Sequence, residues 1–244
     1  MKYKPNTKEK LKLLVDCPLI YLGDIDTSLI SDMNNLFIFS KRTDFSGIEN
    51  WDVSNVTNMS GMFLCAEDFN GDISKWNVSN VRNMAWMFEG AKRFNQNIND
   101  WDVSKVEYMV GMFKGAESFN QPLDKWDVSN IPSMSYMFRG ASKFNQPLNS
   151  WDVSNVIDMT DMFYGAKKFN QPLNCWNTSN VIGMEGMFYG AESFNQDISK
   201  WNVGKVKNIK NCFVKAKKFN QDLSDWKQKY GIDISKAFRK RKRT

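Results

Sequence analysis

Residues 126–150 read WDVSNIPSMSYMFRGASKFNQPLNS, and the same pattern begins again at Trp151. The tryptophan that opens it recurs with an unbroken spacing of 25 residues, at Trp51, Trp76, Trp101, Trp126, Trp151, Trp176, Trp201 and Trp226. Seven complete copies therefore fill residues 51–225. A fixed period of about 20 to 50 residues is typical of solenoids, in which each copy packs on its neighbours. We number the positions within a copy as slots 1 to 25, starting from the tryptophan.

The apolar slots predict the secondary structure of a copy. Slots 6, 9, 12, 13 and 16 carry Val or Ile, Met, Met, Phe and Ala in most copies. This spacing is helical, and it predicts a short helix or 3-10 segment over slots 5–14, after a serine cap at slot 4 and before a glycine at slot 15. The Phe-Asn-Gln-x-Leu/Ile pattern of slots 19–23 predicts one short parallel strand. The expected fold class is therefore an α/β repeat solenoid, with the recurring Met and Phe in its core.

The segments at the two ends differ from the repeats. In residues 1–24 Thr7 is a candidate cap, and apolar residues follow on one helical face, which predicts a helix that covers the first copy. Residues 25–50 form a degenerate copy, and with residues 51–225 they make up the predicted solenoid, 25–225. Residues 226–244 are predicted to be a C-terminal cap followed by a basic tail.

The composition argues against several classes of enzyme. The chain has no histidine, so the commonest general base and metal ligand is missing. Its four cysteines show no close pairing such as C-x-x-C, and we expect them to be free thiols. We predict no catalytic site, no metal and no cofactor.

One polar column leaves an enzymatic alternative open. Slot 2 holds Asp or Asn in every copy, and such a column could supply cation sites or paired carboxylates. The free exchange of Asp and Asn favours a turn-capping role instead. An exchange of Asp102 and Asp127 for other residues would test the enzymatic reading, which we rank last.

Aromatic residues at the variable slots are the first candidate binding site. Recognition in repeat proteins lies at slots that differ between copies, and exposed aromatic side chains are common at binding hot spots. The alternative is that these rings pack against neighbouring Lys and Arg stems. The candidate partner-binding residues are Trp86, Tyr108, Tyr136, Tyr164 and Tyr189.

The basic end is the second candidate. Residues 201–244 carry 14 Lys or Arg and 3 Asp or Glu, although the whole chain has a net charge of only +6. A basic patch attracts nucleic acid or anionic lipid. A tail that only keeps the end of the repeat array soluble is the alternative. We define the basic tip as Lys205, Lys207, Lys210, Lys215, Lys217, Lys218, Arg239, Lys240, Arg241, Lys242 and Arg243.

The copies resemble a known family. Residues 51–63 read WDVSNVTNMSGMF, and FNQ-x-[IL] recurs from Phe94 onward. This pattern is similar to the BspA-like leucine-rich-repeat surface proteins, in the subfamily that includes mycoplasma-type surface lipoproteins, over about residues 25–226. The resemblance implies a right-handed, leucine-rich-repeat-like solenoid, often bacterial and often concerned with surface adhesion or host contact. It implies no catalytic residues.

Together these observations predict a non-catalytic scaffold that binds a protein partner, in adhesion or host contact, and that is a monomer. The alternative is binding of nucleic acid or an anionic membrane through the basic tip. No signal peptide, lipobox or transmembrane segment is visible, which predicts a cytoplasmic protein, whereas the resemblance suggests a cell-surface or secreted one.

Overall fold

The structure is a computed structural model, and it describes residues 2–239. Helix α1 spans Lys8–Asp16, and two short 3-10 turns follow at Leu22–Asp24 and Ile48–Asn50. Helices α2, Ser224–Tyr230, and α3, Ser235–Phe238, lie at the other end. Within residues 2–239 the only β-pairing consists of isolated parallel bridges, most of which join slot 8 of one copy to slot 8 of the next, as in Asn58 to Asn83.

Each copy is joined to the next by a ladder of backbone hydrogen bonds. The N–H groups of slots 9, 11, 13 and 15 donate to carbonyls of the following copy, as Phe63 does to Met87 at 2.9 Å. The N–H groups of slots 12 and 14 bond three residues back within their own copy, as Met62 does to Met59 at 3.1 Å. Slots 9–15 therefore form a ribbon of tight turns, which we call the turn ribbon. Its N–H donors alternate between acceptors in their own copy and acceptors in the following copy.

The predicted helix or 3-10 segment of slots 5–14 is wrong. No helix lies between Asn50 and Ser224 in the described part of the chain. A helix is excluded because slots 11 and 15 have positive φ, as at Trp86 (60°) and Gly90 (68°), and such residues reverse the helical winding. The serine of slot 4 caps no helix, and the glycine of slot 15 lies within the turn ribbon.

The predicted strand of slots 19–23 is also wrong. These residues are irregular in every copy, and the parallel bridges lie at slot 8. Side chains join slots 20 and 21 to the neighbouring copy instead. The backbone N–H of Asn145 donates to Oδ1 of Asn120 at 2.9 Å, and Nε2 of Gln146 donates to the Asn120 carbonyl at 3.0 Å. The asparagine bond recurs at every step from Asn95 to Asn220.

The core consists of columns of identical residues. The phenylalanines of slot 13 stack at centroid distances of 5.6–5.8 Å between copies, and each also stacks on the slot-19 phenylalanine of its own copy. The slot-9 and slot-12 methionines are fully buried. The tryptophan residues are 0–4% exposed, and in most copies Nε1 donates to a backbone carbonyl 28 residues earlier in the chain, as Trp101 does to Ile73 at 3.1 Å.

Both ends of the array are covered. Thr7 accepts a hydrogen bond from the Lys10 N–H at the start of α1, and α1 buries Leu11 and Val15. At the other end Phe213 N–H donates to the Ala237 carbonyl, which continues the ladder into α3. Within residues 2–239 no helix is long and apolar enough to cross a membrane. The chain is a tandem-repeat protein whose copies pack on one another through a periodic aromatic core.

Candidate functional site

The face formed by slots 11 and 14 carries most of the candidate aromatic residues. Both slots lie in the turn ribbon and project from it, because the flanking slots 12 and 13 hold the buried Met and Phe. Slot 11 has positive φ, so its side chain leaves the ribbon at an unusual angle and leans over the following copy. A Cβ at Gly111 would lie 2.0 Å from Cε3 of Trp86, which shows that the indole covers this glycine.

Four of the five predicted aromatic residues form one continuous column. Trp86 passes over Gly111 and approaches Tyr136 with a ring-centroid distance of 5.9 Å. Further along, Tyr164 and Tyr189 stack in parallel at 4.5 Å and 3°. All four side chains are half-buried.

Arg139 joins the two halves of this column. Its guanidinium lies 5.7 Å from the Tyr136 ring centroid and 4.4 Å from that of Tyr164, within the range of cation–π attraction. Nη1 also donates to a carboxylate oxygen of Asp161 at 2.6 Å. The Arg139 side chain is therefore held on three sides.

Two lysines extend the same alternation of rings and cations. Lys114 Nζ lies 5.3 Å from the Trp86 ring, and Lys215 Nζ lies 5.5 Å from the Tyr189 ring. Burial raises the pKa of the Tyr164 hydroxyl, so this ring stays neutral at physiological pH. The predicted alternative, that the rings pack against Arg and Lys side chains, is thus present in the same column.

A groove of about 830 Å³ runs along this column, and we call it the aromatic groove. Tyrosines, two carboxylates, two cations and small polar groups alternate along it, so it can accept both apolar and hydrogen-bonding groups. Its lining is Tyr136, Arg139, Thr160, Asp161, Tyr164, Glu185, Gly186, Tyr189, Asn211 and Lys215.

Tyr108 lies apart from this site. It occupies slot 8, forms a parallel bridge with Asn83, and leaves 56% of its surface exposed. It does not line the aromatic groove.

The sequence did not single out Arg139 or Asp161. The available signal was the slot number, since Arg139 occupies slot 14 like Tyr164, and Asp161 occupies slot 11 like Tyr136. Their proximity depends on how far slot 11 leans across copies, which follows from its positive φ.

The slot-2 carboxylates act as turn caps in this structure. Asp102 Oδ1 accepts both the hydroxyl and the backbone N–H of Ser104, at 2.6 and 3.1 Å. These two bonds lower the pKa of Asp102, and the equivalent bonds lower the pKa of Asp52 and Asp152. A lowered pKa keeps a carboxylate charged and makes it a weaker base at neutral pH.

No group of His, Cys, Asp and Glu side chains among residues 2–239 could hold a metal ion. The four cysteines are free. Cys212 replaces methionine at slot 12 of the last copy, and burial raises the pKa of its thiol to about 12. This thiol is therefore protonated and has little nucleophilic character.

The basic tip is partly engaged in local contacts. Lys217 forms an ion pair with Glu192 at 2.7 Å, Lys205 donates to Asn180 at 2.7 Å, and Lys215 lies on the Tyr189 ring. The other predicted members that the structure describes, Lys207, Lys210, Lys218 and Arg239, are exposed. Lys240, Arg241, Lys242 and Arg243 lie outside the described residues.

Comparison with known proteins identifies one family. No curated protein and no solved structure matches the chain. A family described as "Mycoplasma protein of unknown function, DUF285" matches two overlapping segments, residues 31–151 and 132–244, which together span all seven complete copies. The chain therefore belongs to this family.

Proposed function

We propose that this protein is a non-catalytic scaffold that binds a protein partner through the aromatic groove. The single observation that supports the proposal most is the column Trp86–Tyr136–Arg139–Tyr164–Tyr189, which crosses the copies at slots that vary between them. Trp, Tyr and Arg are the residue types most enriched at the energetic centres of protein interfaces. Half-buried, mutually stacked rings also lose little side-chain entropy when a partner binds.

The backbone supports a role for these side chains beyond packing. Trp86 and Tyr136 have φ values of 60° and 62°, a region that costs an ordinary residue about 1–2 kcal/mol. Glycine occupies the same slot in three other copies, at Gly61, Gly111 and Gly186, where it avoids this cost. Large aromatic residues held in a strained conformation on the surface favour a functional hypothesis.

The resemblance to BspA-like leucine-rich-repeat proteins supports a finer proposal. We propose that the stack is a right-handed solenoid of that class, although its copies contain turns where helices and strands were expected. A role in bacterial surface adhesion or host contact is the function that this kinship favours. Binding of an anionic polymer or membrane through the basic tip is less well supported, because several of its lysines are already engaged locally.

A matched pair of variants tests the aromatic groove. Tyr136→Gly removes the ring at the centre of the column and relieves backbone strain, so the fold should be retained. We expect it to reduce cross-linked capture of host or own-cell proteins at least about tenfold, because losing a hot-spot side chain costs about 2 kcal/mol or more. Tyr108→Ala removes a more exposed ring outside the groove and should leave capture unchanged. Equal capture by both variants would refute the aromatic groove as the binding site.

A further inference from the structure

A second groove lies on the other side of the Arg139–Tyr164 column. It has a volume of about 470 Å³ and crosses three copies. Lys114, Arg139 and Lys167 line its walls together with Tyr164, Glu117 and Ser142, over a floor of glycine backbone. We call it the basic groove.

The surface around the basic groove is positively charged, although residues 1–200 as a whole have a net negative charge. Residues 1–200 contain 19 Lys or Arg and 24 Asp or Glu. Slots 14, 17 and 18 of copies two to six reverse this balance, with seven cations and three carboxylates. The cations are Lys92, Arg93, Lys114, Arg139, Lys143, Lys167 and Lys168, and the carboxylates are Glu89, Glu117 and Glu192.

The chain pairs some cations of this surface and leaves others unpaired. Of those that line the groove, Lys114 pairs with Glu89 at 2.7 Å and Arg139 pairs with Asp161 at 2.6 Å. Toward the N-terminus, Lys92 pairs with Glu67 and Arg93 pairs with Asp68, both at 3.1 Å. Among the described residues, by contrast, Lys143, Lys167 and Lys168 have no ion-pair partner, and all three are exposed. Their shared field extends over about 8–10 Å at moderate salt and attracts an anion to the basic groove.

The groove dimensions suit an extended peptide. Phe113 to Phe138 and Phe138 to Phe163 are each 5.6 Å apart, so three copies extend over about 11 Å. An extended chain advances about 3.3–3.6 Å per residue, so about four residues cross the groove. Lysine and arginine on the walls are suited to carboxylates, and Arg139 is already fixed in place by Asp161 and two rings.

Single-stranded nucleic acid fits this surface less well. Its binding proteins offer open aromatic faces on which bases stack. Tyr164, the ring on this wall, is covered by Tyr189 at 4.5 Å on one face and by Arg139 at 4.4 Å. No open face is left for a base.

We propose that the basic groove binds an extended acidic segment, about four residues long, of a partner protein. This inference rests on the proposed function, since it assigns an acidic segment to the partner that the aromatic groove contacts. The two grooves share the Arg139–Tyr164 wall, so one partner can occupy both.

Fluorescence anisotropy with labelled peptides tests the proposal. We expect the intact chain to bind the peptide GGEEEEGG and to leave GGQQQQGG unbound at the same concentration. Lys167→Glu should weaken binding of GGEEEEGG at least about tenfold. Lys105→Glu makes the same charge change at slot 5, where Nζ contacts Asn80 outside the groove, and should change affinity less than about twofold. Both lysines are exposed, and unchanged thermal unfolding of the two variants checks that each folds.

Three results would overturn the acidic-segment proposal. They are equal binding of the Gln and Glu peptides, equal weakening by the two charge reversals, and tighter binding of an oligo-dT strand than of GGEEEEGG. Tyr136→Gly separates the two proposals, because Tyr136 lines the aromatic groove and not the basic groove. If that variant captures proteins normally while peptide binding still requires Lys167, the aromatic groove fails and the basic groove stands.

Discussion

At the scale of single residues, the turn ribbon requires positive φ at slots 11 and 15, and the copies meet this requirement in two ways. Some use glycine, and others use a side chain that leans over the next copy. Asn35, Trp86 and Asp161 each lean toward a glycine one copy later, where an added Cβ would lie 2.0–2.2 Å from the leaning side chain. At these positions a side chain at slot 11 of one copy therefore requires a glycine at slot 11 of the next copy.

Gly111→Ala tests this coupling. The new Cβ would collide with the Trp86 indole and displace it from Tyr136 and Lys114. Gly115→Ala is the control, because it has similar φ (69° against 61°) and its nearest neighbours are 3.5 Å away. We expect both to lose about 1–2 kcal/mol from αL strain, and Gly111→Ala to lose about 1 kcal/mol more from the displaced ring.

Urea unfolding measures this difference. In a Trp86→Gly background the extra loss of Gly111→Ala should disappear, since no indole remains to be displaced. If Gly111→Ala and Gly115→Ala cost the same in the parent chain, the packing of Trp86 on Gly111 contributes nothing to stability.

At the scale of one structural element, the slot-20 asparagines join copies where no strand exists. Each slot-20 asparagine from Asn95 to Asn195 receives a backbone N–H on Oδ1 and donates its own N–H to the asparagine before it. The slot-21 glutamine adds a second bond to the same residue. This side-chain ladder replaces the backbone pairing that a parallel strand would supply.

Asn145→Ala should weaken this ladder. It leaves the Asn170 N–H, now bonded at 2.9 Å, without its acceptor in a half-buried position. We expect a loss of about 1 kcal/mol in the free energy of unfolding, near the lower end of the usual cost of an unsatisfied donor. Asn145→Asp retains an acceptor oxygen and should lose less than half as much. Equal losses from the two substitutions would show that the amide geometry, rather than the acceptor, matters.

A comparison of the core with the turn ribbon explains which parts of the fold the sequence could predict. The period, and the burial of Phe63 and Met59, follow from recurrence alone, because a residue repeated in every copy has the same environment in each. The helix prediction failed because bonds three residues apart, as from Met62 to Met59, give the same spacing in a ribbon of turns. A helix and the turn ribbon differ in the N–H groups that donate to the next copy. The sequence of a single copy contains no signal for these bonds between copies.

The residues of the candidate site were also predicted only in part. Variability between copies was enough to select Trp86 and Tyr136 at slot 11, but it also selected Tyr108 at slot 8, which the structure places elsewhere. Arg139 was missed because its role depends on reaching rings from two different copies. Contacts across copies depend on side-chain direction, which slot numbers do not contain.

At the scale of the whole molecule, the repeats place the same hydrogen-bonded carboxylate in several copies. Each one contributes weakly to the stability of the fold. Hydrogen bonds from a serine two residues later lower the pKa of carboxylates at slots 2 and 22. The affected groups are Asp52, Asp72, Asp102, Asp152 and Asp197. A carboxylate whose pKa is lower in the folded chain stabilises the fold above its unfolded pKa of about 4. That stabilisation is lost as the pH falls through the lower, folded value.

We therefore expect an asymmetric pH profile. The chain has no histidine, so the free energy of unfolding should be nearly constant between about pH 5.5 and 7.5. Below about pH 4 it should fall steadily, because the unfolded chain then binds more protons than the folded one. Ser104→Ala removes the hydroxyl that bonds Asp102 at 2.6 Å and should make this acid-induced loss slightly smaller. Urea midpoints measured from pH 2.5 to 7.5 check both points, and a midpoint that rises on acidification would contradict the assignment of these carboxylates as turn caps.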